Sequence, residues 1–135
     1  MLGTQKLVAF AAIRDRDAAR TFYRDTLGLR LVGEDQFAMI FDANGTPLRL
    51  APVPDWNPPK FTVLGWEVPD IEAAVTELEA AGIKFEHYPW MKDQSPRGIW
   101  TSPSGPDVAG VHAGARVAWF KDPDGNLLSV AQMPA

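Results

Sequence analysis

The sequence predicts an α+β chain built from two copies of one strand, helix and three-strand module, and three observations carry that prediction. A strand-then-helix pattern occurs twice about 55 positions apart. Two hairpin turns with matching flanks recur at a spacing of about 80. The length of 135 residues suits one domain with a core and is too short for two ordinary independent ones.

In the first copy, KLVAFAAIR (6–14) reads as a strand, and Asp15 caps a helix running through Thr26. Ala18, Ala19, Phe22, Tyr23 and Leu27 recur there at helical spacing, and Gly28 stops it. Residues 29–33, 37–41 and 47–51 read as three further strands, the last two joined through Asp42-Ala-Asn-Gly45. After PVPDWNPPK (52–60), FTVLGWEVP repeats the strand. Asp70 repeats the cap, and IEAAVTELEAAG places Ile71, Ala74, Val75, Leu78 and Ala81 on one helical face.

The alignment of the two copies is specific. Ile13-Arg-Asp15 with Ala18-Ala19 matches Val68-Pro-Asp70 with Ala73-Ala74, and Gly28-Leu-Arg-Leu31 matches Gly82-Ile-Lys-Phe85. The hairpin segment Asp42–Leu50 matches Asp122–Val130, which makes Arg49 and Ser129 equivalent positions. The larger hairpin spacing places an insertion of about 25 residues within 88–116, read as a long loop around a short strand. Module one therefore spans about 5–53, a linker covers 54–59, and module two spans about 60–133, together forming a single domain.

Composition narrows the function. Apolar residues make up 46% and charged residues 22%, and the net charge of -4 disfavours a nucleic-acid partner. The absence of cysteine excludes disulfides, thiol catalysis, cysteine-ligated zinc and iron–sulfur clusters. The apolar run of MLGTQKLVAFAAIRDRD is cut short by Arg14 and Asp15, too brief for a membrane span, and the cytoplasm is the expected location. No Gly-x-Ser-x-Gly elbow, phosphate-binding Gly-Lys-Ser/Thr loop or Gly-x-Gly-x-x-Gly is present.

The first-helix stretch IRDRDAARTFYRDTLGL (13–29) and the terminal hairpin FKDPDGNLLSVAQ (120–132) resemble those of the vicinal oxygen chelate superfamily. That superfamily contains glyoxalases, bleomycin-resistance proteins and extradiol dioxygenases. The resemblance covers essentially the whole chain and implies two βαβββ modules whose mixed sheets curl around one cavity, with helices outside. Strand alternation then turns Leu7, Ala9, Ala11 and Ile13 toward the helix and Val8, Phe10, Ala12 and Arg14 toward the cavity. In the second module Leu64, Trp66 and Val68 face the helix while Val63, Gly65 and Glu67 face the cavity, and Arg49 and Ser129 also point inward.

Metal-using members carry His, Glu or Gln at four positions that correspond here to Val8, Arg49, Val63 and Ser129. Two valines offer no lone pair, an arginine repels a cation and a serine hydroxyl is a weak ligand, so no metal and no cofactor is expected. His87 and His112 lie in no metal motif, and hydrogen-bonded or surface roles are expected for both.

The expected ligand-binding residues are Phe10, Arg49, Trp56, Glu67, Trp90, Trp100 and Ser129. Arg49 suits either an ion pair with Glu67 or the carboxylate of a ligand, and Trp56 and Trp90 in expected loops, with Trp100 near the inserted short strand, offer flat apolar faces. Trp66 and Trp119 read as core residues. The leading expectation is metal-independent sequestration of a small molecule, aromatic or carboxylate-bearing, by a homodimer with no nucleic-acid or membrane partner. The alternative is an enzyme of the same superfamily. It would be a metal-free lyase or isomerase with Glu67 as base and Arg49 stabilising an anion, or a lyase or dioxygenase with displaced metal ligands. A purely structural module is the third class.

Overall fold

In the computed structural model, residues 1–104 and 113–134 are described. The chain falls into two compact units, Met1–Pro58 with Asp122–Gly125 and Pro59–Lys121 with Asn126–Ala135. His112 lies outside the described residues.

The first unit contains β1 (Ala9–Ile13), α1 (Arg16–Thr21), β2 (Arg30–Glu34), β3 (Met39–Ala43) and β4 (Thr46–Pro52). Its sheet runs β1-β4-β3-β2, with β1 parallel to β4 and the other pairs antiparallel. Asp15 caps α1 by accepting from the Ala18 N–H at 3.1 Å. The helix does not continue regularly to Thr26: its last turn, Phe22–Thr26, widens to π-helical spacing, with the Leu27 N–H donating to the Phe22 carbonyl at 2.9 Å.

Within the strands alternation sorts the side chains as expected, but Leu7, expected on the helix face, lies before β1 and is 74% exposed. Ile13, Phe41, Met39, Leu48 and Leu50 are buried with Ala19 and Tyr23 of the helical segment, while Phe10, Arg49 and Val32 are exposed. Tyr23 and Phe41 pack with ring centroids 5.9 Å apart, and burying one such ring contributes about 1.5–3 kcal/mol.

The turn Asp122–Gly125 has the expected corner, Gly125 adopting φ 89° while its N–H donates to the Asp122 carbonyl at 3.0 Å. Its aspartates do more than turn the chain. Both are 5% exposed: Asp122 accepts from the Tyr23 hydroxyl at 2.8 Å, and the Asp124 carbonyl accepts from Arg14 at 2.8 Å. Arg14 also donates to the Trp56 carbonyl at 2.7 Å.

The second unit contains β5 (Thr62–Glu67), α2 (Ile71–Ala80), β6 (Trp100–Thr101), β7 (Arg116–Lys121) and β8 (Leu127–Gln132), with sheet order β5-β8-β7-β6. β5 is parallel to β8, as β1 is to β4, so the α+β class and the two βαβββ modules are borne out. Asp70 caps α2 through the Ala73 N–H at 3.1 Å. Ile71 and Val75 are buried, as are Ala118, Phe120, Leu128 and Val130 of the sheet face that α2 covers.

The expected insertion is divided. The edge strand begins where the repeat predicts, the Glu86 N–H donating to the Trp119 carbonyl at 2.8 Å, and resumes only at Trp100, which pairs with Val117. A step of two residues on β7 thus corresponds to fourteen on the edge, so residues 87–99 form an excursion from within one strand. The rest of the added length lies in 102–115, between β6 and β7.

Candidate functional site

Small residues line part of the second sheet on its face turned away from α2. The register sets Gly65 beside Ser129 and Ser129 beside Trp119, while the next row runs Glu67, Ala131, Val117, Trp100. Adjacent strands are about 4.8 Å apart, so the Glu67 and Trp100 backbones stand about 14 Å from one another across this row. Gly65 permits the close approach of its neighbour: a Cβ at that position would lie 2.9 Å from the Ser129 hydroxyl. Gly65 and Glu67 are exposed, while Ser129 is 8% exposed.

Aromatic side chains form a continuous run along the other end. Trp100 and Trp119 have centroids 6.1 Å apart at 40°, Trp119 meets Tyr88 edge-on at 5.9 Å, and Tyr88 meets Trp90 at 5.4 Å and 31°. Trp90 is 74% exposed. Burial, and after it the charge of Glu86, raises the Tyr88 phenol above its ordinary ionisation range, so it stays a neutral ring with a donor. Lys121 pairs with Glu86 at 3.3 Å.

The excursion that carries Trp90 and leads into Trp100 is tightly hydrogen-bonded. Gln94 donates from Nε2 to the carbonyls of Glu86 and Gly98, each at 2.9 Å, and accepts from the Tyr88 N–H at 2.9 Å. His87 has its ring nitrogens 3.2 Å from the Phe85 carbonyl and 2.9 Å from that of Pro96, a hydrogen-bonded role as expected. Gly98 closes the turn Ser95–Gly98 at φ 85°, with so little room that a Cβ would lie 3.2 Å from that of Phe85.

Trp119 corrects the expectation of a core residue. Ala118 and Phe120 are the buried, helix-facing members of β7, which leaves Trp119 on the opposite face beside Ser129. The hairpin alone contained that signal, because counting back from the turn Asp122–Gly125 sets position 119 against 129. Tyr88 was also missed as a binding candidate, and no local periodicity marks it. Trp66, paired with Val130, does face α2, although it is only half-buried.

In the first unit, Phe10 and Arg49 are register partners on adjacent parallel strands, on the face away from α1. Phe10 is 63% exposed. The Arg49 charge helps to hold the Asp35 carboxyl below its usual range, after hydrogen bonds from the Phe37 and Ala38 N–H groups. No hydrogen bond or ion pair engages Arg49 among the described residues of this unit. The Trp56 backbone is bonded to Arg14 and Val53.

The donor set does not suit a metal ion. Val8 and Val63 carry no donor and Arg49 is cationic. The backbone adds an irregularity between Thr62 and Leu64, so the register skips Val63. Among the described residues no three His, Asp or Glu side chains gather to hold an ion. No helix among them is long and apolar enough to cross a membrane.

Comparison with known proteins adds family and fold. A model described as Glyoxalase/Bleomycin resistance protein/Dioxygenase superfamily matches residues 7–130. A glyoxalase/bleomycin resistance protein/dioxygenase from Alicyclobacillus acidocaldarius is similar with TM-score 0.71 and 18% identity, over 98% of this chain and 93% of that one. A bleomycin-binding protein complexed with bleomycin gives 0.67 and 22%, over 97% and 100%. TnmS3, an antibiotic binding protein from Streptomyces sp. CB03234, gives 0.63 and 20%, over 97% and 98%. No curated protein matches the sequence.

Proposed function

The chain belongs to the glyoxalase/bleomycin resistance protein/dioxygenase superfamily, and from that premise we propose that it sequesters a planar aromatic small molecule without a metal ion. One observation carries the reading: Trp100, Trp119, Tyr88 and Trp90 form an unbroken aromatic run beside a strip of small side chains at Gly65, Ser129 and Ala131. Flat rings against small side chains suit a flat ligand, and the exposed Glu67 in the row of Trp100 favours a positive substituent on it. Binding and antibiotic-binding functions in the two similar proteins named above point the same way. Independently of that run, Arg49 in the first unit is proposed as a contact for a ligand carboxylate, a role for which its planar fork is suited and for which it has no competing ion pair in its own unit.

The protein is proposed to act as a homodimer. Supporting this, the first unit exposes Phe10, Val32 and Phe37 at 63%, 55% and 71%. Sedimentation equilibrium reads the assembly directly, and a monomer at micromolar concentration overturns it.

Tryptophan fluorescence titrated with a panel of planar aromatic cations and carboxylates tests the function, in wild type and in Trp119→Leu, Trp100→Leu and Arg49→Ala. Wild type is expected to bind stoichiometrically, the tryptophan variants to lose about tenfold or more in affinity, and Arg49→Ala to weaken carboxylates only. Chemically altered ligand recovered from the mixture overturns sequestration. Stoichiometric metal in protein purified without chelator, with binding lost on its removal, overturns metal independence.

A further inference from the structure

We infer that Arg97 is a positioning residue that straps the 87–99 excursion to α2 and thereby sets the geometry of the aromatic run; this rests on the ligand-binding reading above. Arg97 sits in the turn between the two ends of the excursion. Its guanidinium donates to Glu72 Oε2 at 2.8 Å, to Thr76 Oγ1 at 2.8 Å and to Glu79 Oε1 at 2.7 Å. These partners are four and three residues apart, which places them in one stripe along α2. Arg116 at the start of β7 donates to the other oxygen of Glu72 at 3.0 Å, so that carboxylate is held from two sides. Hydrogen bonds to Glu79, then the charges and bonds of Glu79 and Glu72, raise Arg97 further above its already high range.

The helix it grips is itself anchored by buried Ile71 and Val75. The excursion is therefore held at three places: at Glu86 and Trp100 on the edge of β7, and at Arg97 on α2. Trp90 lies seven residues before Arg97 and Trp100 three after it. The Gln94 bonds and its bridge to Trp100 make the segment one piece, so freeing the turn lets Tyr88, Trp90 and Trp100 move together relative to Trp119. A lysine carries the charge but cannot reach Glu72, Thr76 and Glu79 at once, because it presents a single ammonium in place of a fork.

Arg97→Ala, Arg97→Lys and Glu79→Gln, compared with wild type, test the strap by three readouts. Hydrogen exchange of 87–99 is expected to rise about tenfold in Arg97→Ala, with α2 and β8 unchanged. The far-ultraviolet exciton couplet of the coupled indoles is expected to weaken in the same variant. Affinity for thioflavin T, a planar aromatic cation, is expected to fall about tenfold at unchanged stoichiometry. Arg97→Lys and Glu79→Gln give intermediate values, and molar sodium chloride weakens wild type more than Arg97→Ala. Unchanged exchange in Arg97→Ala overturns the strap, and so do an intact couplet and affinity despite faster exchange. Exchange and dichroism need no ligand, so failure of wild type to bind thioflavin T counts against the binding reading while the strap is judged separately.

Discussion

The hydroxyl of Tyr23 donates to Oδ2 of Asp122 at 2.8 Å, joining two residues ninety-nine positions apart, both buried. Tyr23→Phe removes this hydrogen bond to a buried carboxylate and is expected to lower unfolding free energy by about 1–3 kcal/mol in urea denaturation. Burial first, and the Asp122 charge second, raise the pKa of this phenol. Its contribution is therefore complete below the unfolded value of about 10 and is lost as pH rises beyond it. Thermal melts across alkaline pH are expected to show a steep decline in wild type and a flatter one in Tyr23→Phe.

Acid acts on the opposite sign. Backbone N–H groups of Phe37 and Ala38 lower the pKa of Asp35, and hydrogen bonds from Arg20 lower that of Glu34. Each contributes stability above its unfolded value of about 4 that disappears as pH falls through the lower folded value. Asp35→Asn keeps an oxygen for the two N–H groups while removing the titration, so a shallower acid limb with little change at neutral pH is the expected outcome. A melt series of equal steepness to wild type contradicts it.

The contact between Gly65 and Ser129 predicts a coupling. Alanine at 65 brings a methyl to within 2.9 Å of the Ser129 hydroxyl, and Gly65→Ala is expected to cost about 1–3 kcal/mol. In a Ser129→Ala background the same change is expected to cost less, with an interaction energy of about 0.5–2 kcal/mol in the double-mutant cycle. Additive effects remove the steric explanation.

Gly98 combines a left-handed backbone with a crowded position. Gly98→Ala at φ 85° is expected to cost about 1–3 kcal/mol and to loosen the excursion before the rest of the unit. Exchange mass spectrometry is expected to report faster exchange in 87–99 than in β8; uniform change across both sends the effect to the whole unit instead.

These contrasts show where sequence reasoning reached and where it stopped. The caps at Asp15 and Asp70, the repeated hairpins and the exposed strand face carrying Phe10 and Arg49 followed from local chemistry and alternation; the register that makes those two neighbours did not. The short strand near Trp100 was legible as well, but the bonds that hold the excursion before it were not, because Gln94 and Arg97 reach backbone and helix groups that periodicity does not describe. The burial of Asp122 and Asp124 was hidden for a related reason: their turn looks solvent-facing until Tyr23 and Arg14 supply partners from far along the chain.

The interrupted edge strand also leaves little of this edge open to other chains. A long free edge offers a row of unpaired N–H and C=O groups onto which a foreign strand can add, and natural sheets shorten or cover such edges. Here β6 is two residues long, and the chain departs from the edge just before it, with the proline-containing turn pinned elsewhere. The segment that supplies Tyr88 and Trp90 to the aromatic run thus also shortens this edge of the second sheet as a template for aggregation, beside which flat, sticky side chains are carried.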